Sequence, residues 1–341
     1  MSDMFAGPPL TCWIISDGRR GIENQALGLA EAIHDIRPLK ISQHVMQAGK
    51  AFMAASPKMQ FTMRSDPAKY GLLSPYPSLA IGCGRQAVAP LMALKKAVSS
   101  VYTVYIQDPR VEASNFDLVV APEHDNLIGP NIISMIGSPN RIHNRELVAN
   151  VLAFNEKLAD LPMPRVAMLI GGDSKTHKMT RDMHVQHMKA ANDVLAGGRS
   201  LMVTTSRRTP DWVVADYKKL SQSHSDVWVY DGGDPNPYFA YLGASDTILV
   251  TEDSTNMLTE ACTTGKHVFT LPMRGKPGKF QALYDRLYER CHVEPFKSVF
   301  KTQTYEPLNE TARVAQTLLE RLERRVRGVS DKPWNIPCDT V

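Results

Sequence analysis

The sequence contains few cysteines, no long apolar run and little excess of charge of either sign. Its five cysteines are an odd number, are widely scattered and form no C-x-x-C pair. This pattern argues against a disulfide framework and a zinc site, and it favours a reducing compartment. The cysteines are Cys12, Cys83, Cys262, Cys291 and Cys338.

Long hydrophobic segments are also missing. No stretch approaches the roughly 18–20 uninterrupted apolar residues that a membrane span needs. Residues 1–16 lack the basic and apolar regions of a secretion signal. We therefore expect a cytoplasmic protein.

The charge balance excludes further classes. The 39 Lys and Arg residues exceed the 35 Asp and Glu residues by four, which is too few for an electrostatic nucleic-acid binder. A hydrophobic content of 43% is too high for a disordered chain. At roughly 100–200 residues per domain, a chain of 341 residues predicts two domains.

Short apolar runs, each ending in a polar or glycine-containing turn, alternate with helical patterns along the chain. In the first half the predicted strands are 11–16, 78–81, 101–106 and 118–121. In the second half they are 166–170, 201–205, 227–230, 247–250 and 267–271. A predicted helix at 144–154 and the linker Leu161-Pro-Met-Pro164 separate the two series.

Strands that alternate with helices form parallel sheets covered on both faces. We therefore predict an α/β fold with two Rossmann-like domains, at 1–160 and 165–327, of which the second ends in a helix over about 310–327. Residues 328–341 would form a tail. Ligands of such sheets bind beyond the carboxyl ends of the strands, so two facing domains would form a cleft for two substrates.

The segment 250–261 (VTEDSTNMLTEA) carries the clearest signal. Asp253 or Ser254 is a good helix N-cap, so the first backbone N–H groups of the helix would face an anion such as a pyrophosphate. Glu260, two turns further on, could accept hydrogen bonds from ribose or sugar hydroxyls. The alternative is a simple helix cap followed by an exposed glutamate. The candidate diphosphate contacts are Ser254, Thr255 and Asn256.

Five segments carry a further signal. They are 16–25 (SDGRRGIENQ), 171–175 (GGDSK), 204–210 (TTSRRTP), 231–238 (DGGDPNPY) and 251–261 (TEDSTNMLTEA). These segments resemble the bacterial branch of the mitochondrial-fission "elongated mitochondria" family, over about residues 10–325. More broadly, the two halves look like GT-B glycosyltransferases and the related nucleotide-sugar 2-epimerases.

The resemblance implies a GT-B-like fold, a nucleotide ribose at Glu260 and a diphosphate at the turn before it. Glu252 and Glu260 also have the E-x7-E spacing of retaining GT-B enzymes, a spacing that two glutamates often reach by chance. Plant members of the family are associated with organelle division, and bacterial members are often named nucleotide-sugar epimerases.

Three functions stay open on this basis. The first is a glycosyltransferase that uses a nucleotide-diphosphate sugar as its substrate and needs neither a metal nor another cofactor. The second is a nucleoside-diphosphate-sugar epimerase. The third is a non-catalytic GT-B-like protein that acts at membranes or in division.

Further phosphate contacts are predicted at other strand ends of the second domain. Gly171 and Gly172 would let a phosphate approach closely because glycine lacks a side chain, or they would only form a tight turn. Either Arg207 or Arg208 could bind a phosphate bidentately, while the other is solvated or paired with an acid. The same turns contain Ser174 and Ser206, which are further candidates for phosphate binding.

A loop rich in glycine and proline carries a second cationic group. Arg274, Lys276 and Lys279 could neutralise a departing diphosphate in place of Mg²⁺, or they could be solvated. Gln281 resembles the polar residue with which GT-B enzymes contact donor-sugar hydroxyls.

Candidate catalytic residues lie in the first domain. Asp17 stands where many inverting GT-B enzymes keep the base that deprotonates the acceptor. It could equally start an Asp-Gly turn, and the loop after it lacks the histidine that such enzymes often carry. His124 and Asp125 form an alternative acid/base pair at another strand end.

The predicted partners are a nucleotide sugar and an unidentified acceptor, with lipid-linked molecules among the candidates. Nucleic acid is not expected. Basic residues near the end of the last helix would be solvated or would touch the inner face of the membrane peripherally. These residues are Arg321, Arg324, Arg325 and Arg327.

Overall fold

The structure, a computed structural model, describes residues 9–230, 232–300 and 304–327. The chain forms two compact units. The first contains the residues up to Arg141 together with the C-terminal helix that begins at Glu310, and the second runs from Ile142 to Asn309. The predicted tail at 328–341 and Asp231 of the segment 231–238 lie outside the described residues.

The first unit is built on six parallel strands. They are β1 (Leu10–Ser16), β2 (Leu39–Val45), β3 (Leu79–Cys83), β4 (Tyr102–Ile106), β5 (Leu118–Pro122) and β6 (Ile132–Met135). Their order in the sheet is β2-β1-β3-β4-β5-β6. The sheet therefore changes its direction of growth between β1 and β3, which makes the carboxyl ends of these strands a switch point.

The second unit has the same architecture. Its strands are β7 (Arg165–Ile170), β8 (His177–Lys178), β9 (Ser200–Thr205), β10 (Val227–Val229), β11 (Thr247–Thr251), β12 (His267–Leu271), β13 (Arg274–Gly275) and β14 (Glu294–Pro295). Six of them form a parallel sheet in the order β10-β9-β7-β11-β12-β14, and β8 pairs with β13 in an antiparallel ribbon. The predicted α/β class with two parallel sheets is confirmed.

Helices cover both sheets. Those of the first unit are α1 (Arg20–Ile36), α2 (Lys50–Ala54), α3 (Pro57–Met63) and α4 (Arg85–Ala97). The second unit contributes α5 (Asn144–Ala153), α6 (Asn155–Ala159), α7 (Arg181–Ala196), α8 (Asp211–Ser223), α9 (Tyr238–Ala244), α10 (Thr255–Thr263) and α11 (Gln281–Cys291), and α12 (Glu310–Val326) returns to the first. Among the described residues, no helix has the length and apolar character needed to cross a bilayer.

The division between the units differs from the expected one at 161–164. Helix α5 packs on α9, so closely that a Cβ on Gly243 would lie 2.7 Å from Val151 Cγ2. Helix α12 packs on α1, and its buried Val314, Leu318 and Leu322 join the core of the first sheet. Residues 142–160 therefore belong to the second unit and α12 to the first, because side-chain packing rather than chain order sets the division.

The arginines near the end of α12 form ion pairs and hydrogen bonds that a solvated helix end would lack. Arg325 forms an ion pair with Asp117 at 3.0 Å, and Arg321 donates to the carbonyl of Pro130 at 3.0 Å. Arg327 lies 3.8 Å from Glu323 on the same helix. These contacts fix the end of α12 against its own unit.

Candidate functional site

Four neighbouring strands of the second unit end at the same edge of its sheet. Because β9, β7, β11 and β12 are adjacent and parallel, the loops that follow them meet there. Most of the predicted phosphate and ribose contacts lie on these loops or on the helix that follows β11.

Asp253, two residues beyond the end of β11, connects three of these strand ends. Its side chain is 0% exposed, and its Oδ2 accepts a hydrogen bond from the Gly172 N–H at 3.0 Å. The same oxygen lies 2.7 Å from Arg208 Nη2. Arg208 also donates from Nη1 to the carbonyl of Asp173 at 3.1 Å. The carboxylate thus holds the loops after β7 and β9 against the end of β11.

The two glycines after β7 are required by contacts within the protein. A Cβ on Gly171 would lie 2.1 Å from Asp253 Oδ1, and one on Gly172 would lie 2.0 Å from the Arg208 carbonyl oxygen. The Gly171 N–H donates to Thr251 Oγ1 at 2.7 Å. The tight-turn interpretation therefore explains both glycines, and the expected close approach to a phosphate is not needed to account for them.

Hydroxyl groups shape the same turns. Ser174 Oγ accepts a hydrogen bond from the His177 N–H at 3.0 Å, and Ser206 Oγ accepts one from the Arg208 N–H at 3.1 Å. Of the two arginines, Arg208 is the one paired with an acid. Arg207 is exposed and forms no ion pair or side-chain hydrogen bond within the described part of the chain.

The start of α10 is capped by a side chain. Ser254 caps the helix, since its Oγ accepts a hydrogen bond from the Met257 N–H at 3.5 Å. The N–H group of Thr255 lies in the first turn, where a helix offers no backbone acceptor. The helix dipole places partial positive charge at the same point.

Glu260, further along α10, is half-buried rather than exposed. The hydroxyl of Tyr238 donates a hydrogen bond to its Oε2. Burial raises the pKa of Glu260 to about 7, and the contact with Tyr238 opposes this shift. A carboxyl group with such a pKa changes its charge near neutral pH.

Tyr238 begins α9, whose other end is also held by a titratable group. Lys266 Nζ donates to the carbonyls of Leu242 and Gly243, both at 2.6 Å. Burial lowers the pKa of Lys266 to about 8. Helix α9 is therefore fixed at both ends by side chains that lie on α10 or just after it.

A cavity of about 370 Å³ lies beside Glu252. Glu252 Oε2 accepts a hydrogen bond from the Met273 N–H at 3.0 Å, and burial raises the pKa of this carboxyl. His177 and Gln281 also line the cavity, and Gln281 Nε2 donates to Asp285 at 2.8 Å. The structure thus places Gln281 with Glu252 in the lining of this cavity.

The predicted cationic loop is a surface feature. Arg274 belongs to β13, which pairs with Lys178 of β8, and its side chain is exposed. Lys276 and Lys279 are exposed as well. Arg274, Lys276 and Lys279 are thus accessible to an anion from solvent.

In the first unit, the carboxylate of Asp17 makes its contacts within its own turn. Its Oδ1 accepts a hydrogen bond from the Arg19 N–H at 3.2 Å, and its Oδ2 lies 2.7 Å from Arg19 Nη2. Gly18 follows with a φ of +73°. The structure therefore shows the Asp-Gly turn that was the alternative to a catalytic base.

His124 and Asp125 lie together after β5, in a single turn of 3-10 helix. His124 Nε2 is 3.9 Å from Asp125 Oδ1, and both side chains are 7% exposed. Strands β3 and β4 separate β5 from β1. At ~4.8 Å per strand, the ends of β1 and β5 are about 14 Å apart. Asp17 and the His124–Asp125 pair are therefore alternatives and not one constellation.

Sequence reasoning missed the roles of Asp253, Tyr238 and Lys266. Asp253 was considered only as a helix cap, although a carboxylate directly after a buried strand also suggests a buried ion pair. Tyr238 closes the segment 231–238, which resembled the family without indicating what the tyrosine contacts. Nothing in the spacing distinguishes Lys266 from an ordinary surface lysine.

Solved structures share this fold at low sequence identity. One is the UDP-GlcNAc 2-epimerase of Methanocaldococcus jannaschii in complex with UDP-GlcNAc and UDP, with a TM-score of 0.51 and 11% identity over 91% of this chain and 100% of that one. Another is the catalytic domain of starch synthase IV from Arabidopsis thaliana, with a TM-score of 0.51 and 10% identity over 94% and 100%. Such likeness shows a GT-B-like fold.

Two relatives are similar in sequence. The mitochondrial fission protein ELM1 of Arabidopsis thaliana is 28% identical over 276 residues, which cover 73% of this chain and 65% of that protein, slightly under two thirds of its length. The uncharacterized protein RP120 of Rickettsia prowazekii (strain Madrid E) is 24% identical over 91% of this chain and 98% of its own. The family model described as mitochondrial fission ELM1 matches residues 20–322. The chain therefore belongs to the mitochondrial fission ELM1 family.

Proposed function

We propose that this protein binds a nucleotide-diphosphate sugar through its second unit and transfers the sugar to an acceptor without a metal ion. The observation that carries the proposal is the capped start of α10 with a half-buried glutamate further along the same helix. One helix thereby offers both an anion site and a carboxyl group for sugar hydroxyls.

The diphosphate would lie against the turn at the start of α10, formed by Ser254, Thr255 and Asn256. The partial positive charge of a helix start favours a phosphate there. Arg207 is an exposed guanidinium on the loop after β9, and Lys276 is an exposed ammonium on the loop after β12. Both are suited to balance the negative charge of the leaving diphosphate.

The ribose would lie at Glu260, whose carboxylate accepts hydrogen bonds from two neighbouring hydroxyls. Tyr238 already donates to one oxygen of this group and so fixes its orientation. The class of ligand is also that named for the similar epimerase of M. jannaschii, which was solved with UDP-GlcNAc and UDP.

In the chemical step, an acceptor hydroxyl oxygen attacks the anomeric carbon, and the bond between that carbon and the diphosphate oxygen breaks. The nucleoside diphosphate leaves with the bonding electron pair, and a base takes the hydroxyl proton. We assign this base to His124, because Asp17 is bound by Arg19 and Asp125 stands ready to stabilise the protonated imidazole.

Nucleotide binding should depend on Glu260. In a thermal-shift panel of UDP, GDP, CDP and ADP, we expect at least one nucleotide to raise the Tm of the native protein. Glu260→Ala should lose this rise because the ribose loses its acceptor. The matched variant Glu289→Ala removes an exposed glutamate of α11 and should keep the rise. A panel without any response, or equal responses of both variants, would contradict the proposed site.

The affinity for a nucleotide sugar should increase as the pH rises through about 7. Glu260 is protonated below that pH and becomes a full acceptor above it, while the diphosphate diester of the ligand does not titrate in this range. Tyr238→Phe removes the hydrogen bond that lowers the pKa of Glu260, so its midpoint should move to higher pH. Calorimetric titrations across the range measure both effects, and Glu260→Gln should show a flat profile.

The neighbouring arginines should have opposite phenotypes. Arg208→Met leaves the buried Asp253 carboxylate without its cation and should lower the free energy of unfolding by about 3–5 kcal/mol. Arg207→Met should change the free energy of unfolding by less than about 0.5 kcal/mol and should weaken nucleotide binding. Urea unfolding and nucleotide titration of both variants test this. The double variant Arg208→Met/Asp253→Asn should recover part of the lost stability, and equal destabilisation by the two single variants would refute the assignment.

The base is tested with a nucleotide sugar that the protein binds. His124→Ala should reduce sugar consumption, followed by NMR, at least ~100-fold. Asp17→Asn should retain most of it if the fold is intact. The reverse order would reassign the base to Asp17. Conversion of the sugar in the absence of any acceptor would show that the protein epimerises the nucleotide sugar and does not transfer it.

A further inference from the structure

One segment of the first unit is rich in basic residues, methionines and aromatic residues. Residues 46–71, here called the basic segment, contain four basic residues and one acid, whereas the whole chain has an excess of only four positive charges. The basic segment also contains four of the 16 methionines and three aromatic residues. The basic residues are Lys50, Lys58, Arg64 and Lys69.

The basic segment lines a cavity. Helices α2 and α3 follow the carboxyl end of β2, and α3 packs on α4. Together they leave a space of about 300 Å³. Its apolar wall includes Val45, Phe52 and Met53, and its polar groups include Arg64 and Lys69.

Side-chain hydrogen bonds to backbone carbonyls hold the basic segment in place. Gln60 is 1% exposed, and its Nε2 donates to the carbonyls of Phe52 at 2.9 Å and Ala55 at 3.0 Å. The guanidinium of Arg85 donates to the same Ala55 carbonyl at 2.9 Å. The cavity wall is therefore preorganised by hydrogen bonds.

The two basic side chains at the cavity, Arg64 and Lys69, form no ion pair within the residues that the structure describes. The Arg64 guanidinium instead lies 4.4 Å from the centre of the Phe52 ring. Asp66, the acid of the segment, instead accepts a hydrogen bond from the Ala68 N–H at 2.9 Å. An anion that enters the cavity would meet two cations.

Exposed apolar side chains lie on the elements that form the cavity. Met59 and Met63 lie one turn apart on α3 and are 56% and 58% exposed. Val45, at the end of β2, is 47% exposed. Methionine adapts its shape to flexible apolar partners, so this surface suits a hydrocarbon chain.

We propose that the cavity binds an anionic amphiphile, with its phosphate head at Arg64 and Lys69 and its hydrocarbon chain along Phe52, Met53 and the exposed methionines. The position fits the rule that ligands of open α/β sheets bind beyond the carboxyl ends of the strands. The proposal goes beyond the nucleotide site, because it gives the first unit a ligand of its own and requires no nucleotide.

The test uses geranyl phosphate, geraniol and inorganic phosphate as probes in calorimetric titrations of the full-length protein. Geranyl phosphate should bind, and the other two should bind at least about tenfold more weakly because each lacks one half of the ligand. Arg64→Gln/Lys69→Gln should weaken geranyl phosphate at least about tenfold at unchanged Tm. The matched variant Lys40→Gln/Lys157→Gln removes the same charge elsewhere and should bind normally.

Equal binding of geranyl phosphate and inorganic phosphate, or equal loss in both double variants, would overturn the proposal. Met59→Ser/Met63→Ser should weaken geranyl phosphate but not inorganic phosphate, and an equal effect on both would count against the apolar path. Sedimentation with phosphatidylcholine vesicles, with and without phosphatidic acid, tests whether the bound amphiphile comes from a bilayer. Sedimentation only with the acidic vesicles indicates a bilayer lipid, and binding of geranyl phosphate alone indicates a soluble amphiphile.

Discussion

The buried carboxylate of Asp253 is the constraint on which the edge of the second sheet depends. A charge removed from water costs several kcal/mol unless a partner compensates it. Arg208 and the Gly172 N–H provide that compensation, and each comes from a different strand end. Satisfying one charge therefore fixes three loops at once. The start of α10 follows directly, so its backbone N–H groups are placed before any ligand arrives.

Polar contacts also join α9 to α10. Glu260 on α10 accepts from Tyr238 at the start of α9, and Lys266, just after α10, donates to the carbonyls at the end of α9. Burial raises the pKa of Glu260 and lowers the pKa of Lys266, so the titration of both groups moves toward neutral pH. The contacts that join the two helices are therefore sensitive to pH near neutrality.

The regular part of the fold could be predicted from the sequence, whereas the contacts of the site could not. Buried parallel strands are short apolar runs, so β12 was predicted to the residue and β7 and β11 within one. Strand β2 was missed because its alternating exposed residues lack such a run. The cap at Ser254 follows from local chemistry. The pairing of Arg208 with Asp253 does not, because it joins residues 45 positions apart through the strand order.

The packing of α12 on α1 has a consequence for protein synthesis. Chains emerge from the ribosome from the amino end, and domains usually fold in that order. Here the first sheet lacks Val314, Leu318 and Leu322 until after the second unit has been made, because that unit is complete at Asn309. The unit encoded in the middle is therefore the first that can close its core. The amino-terminal unit must wait for α12 before the cover on one face of its sheet is complete.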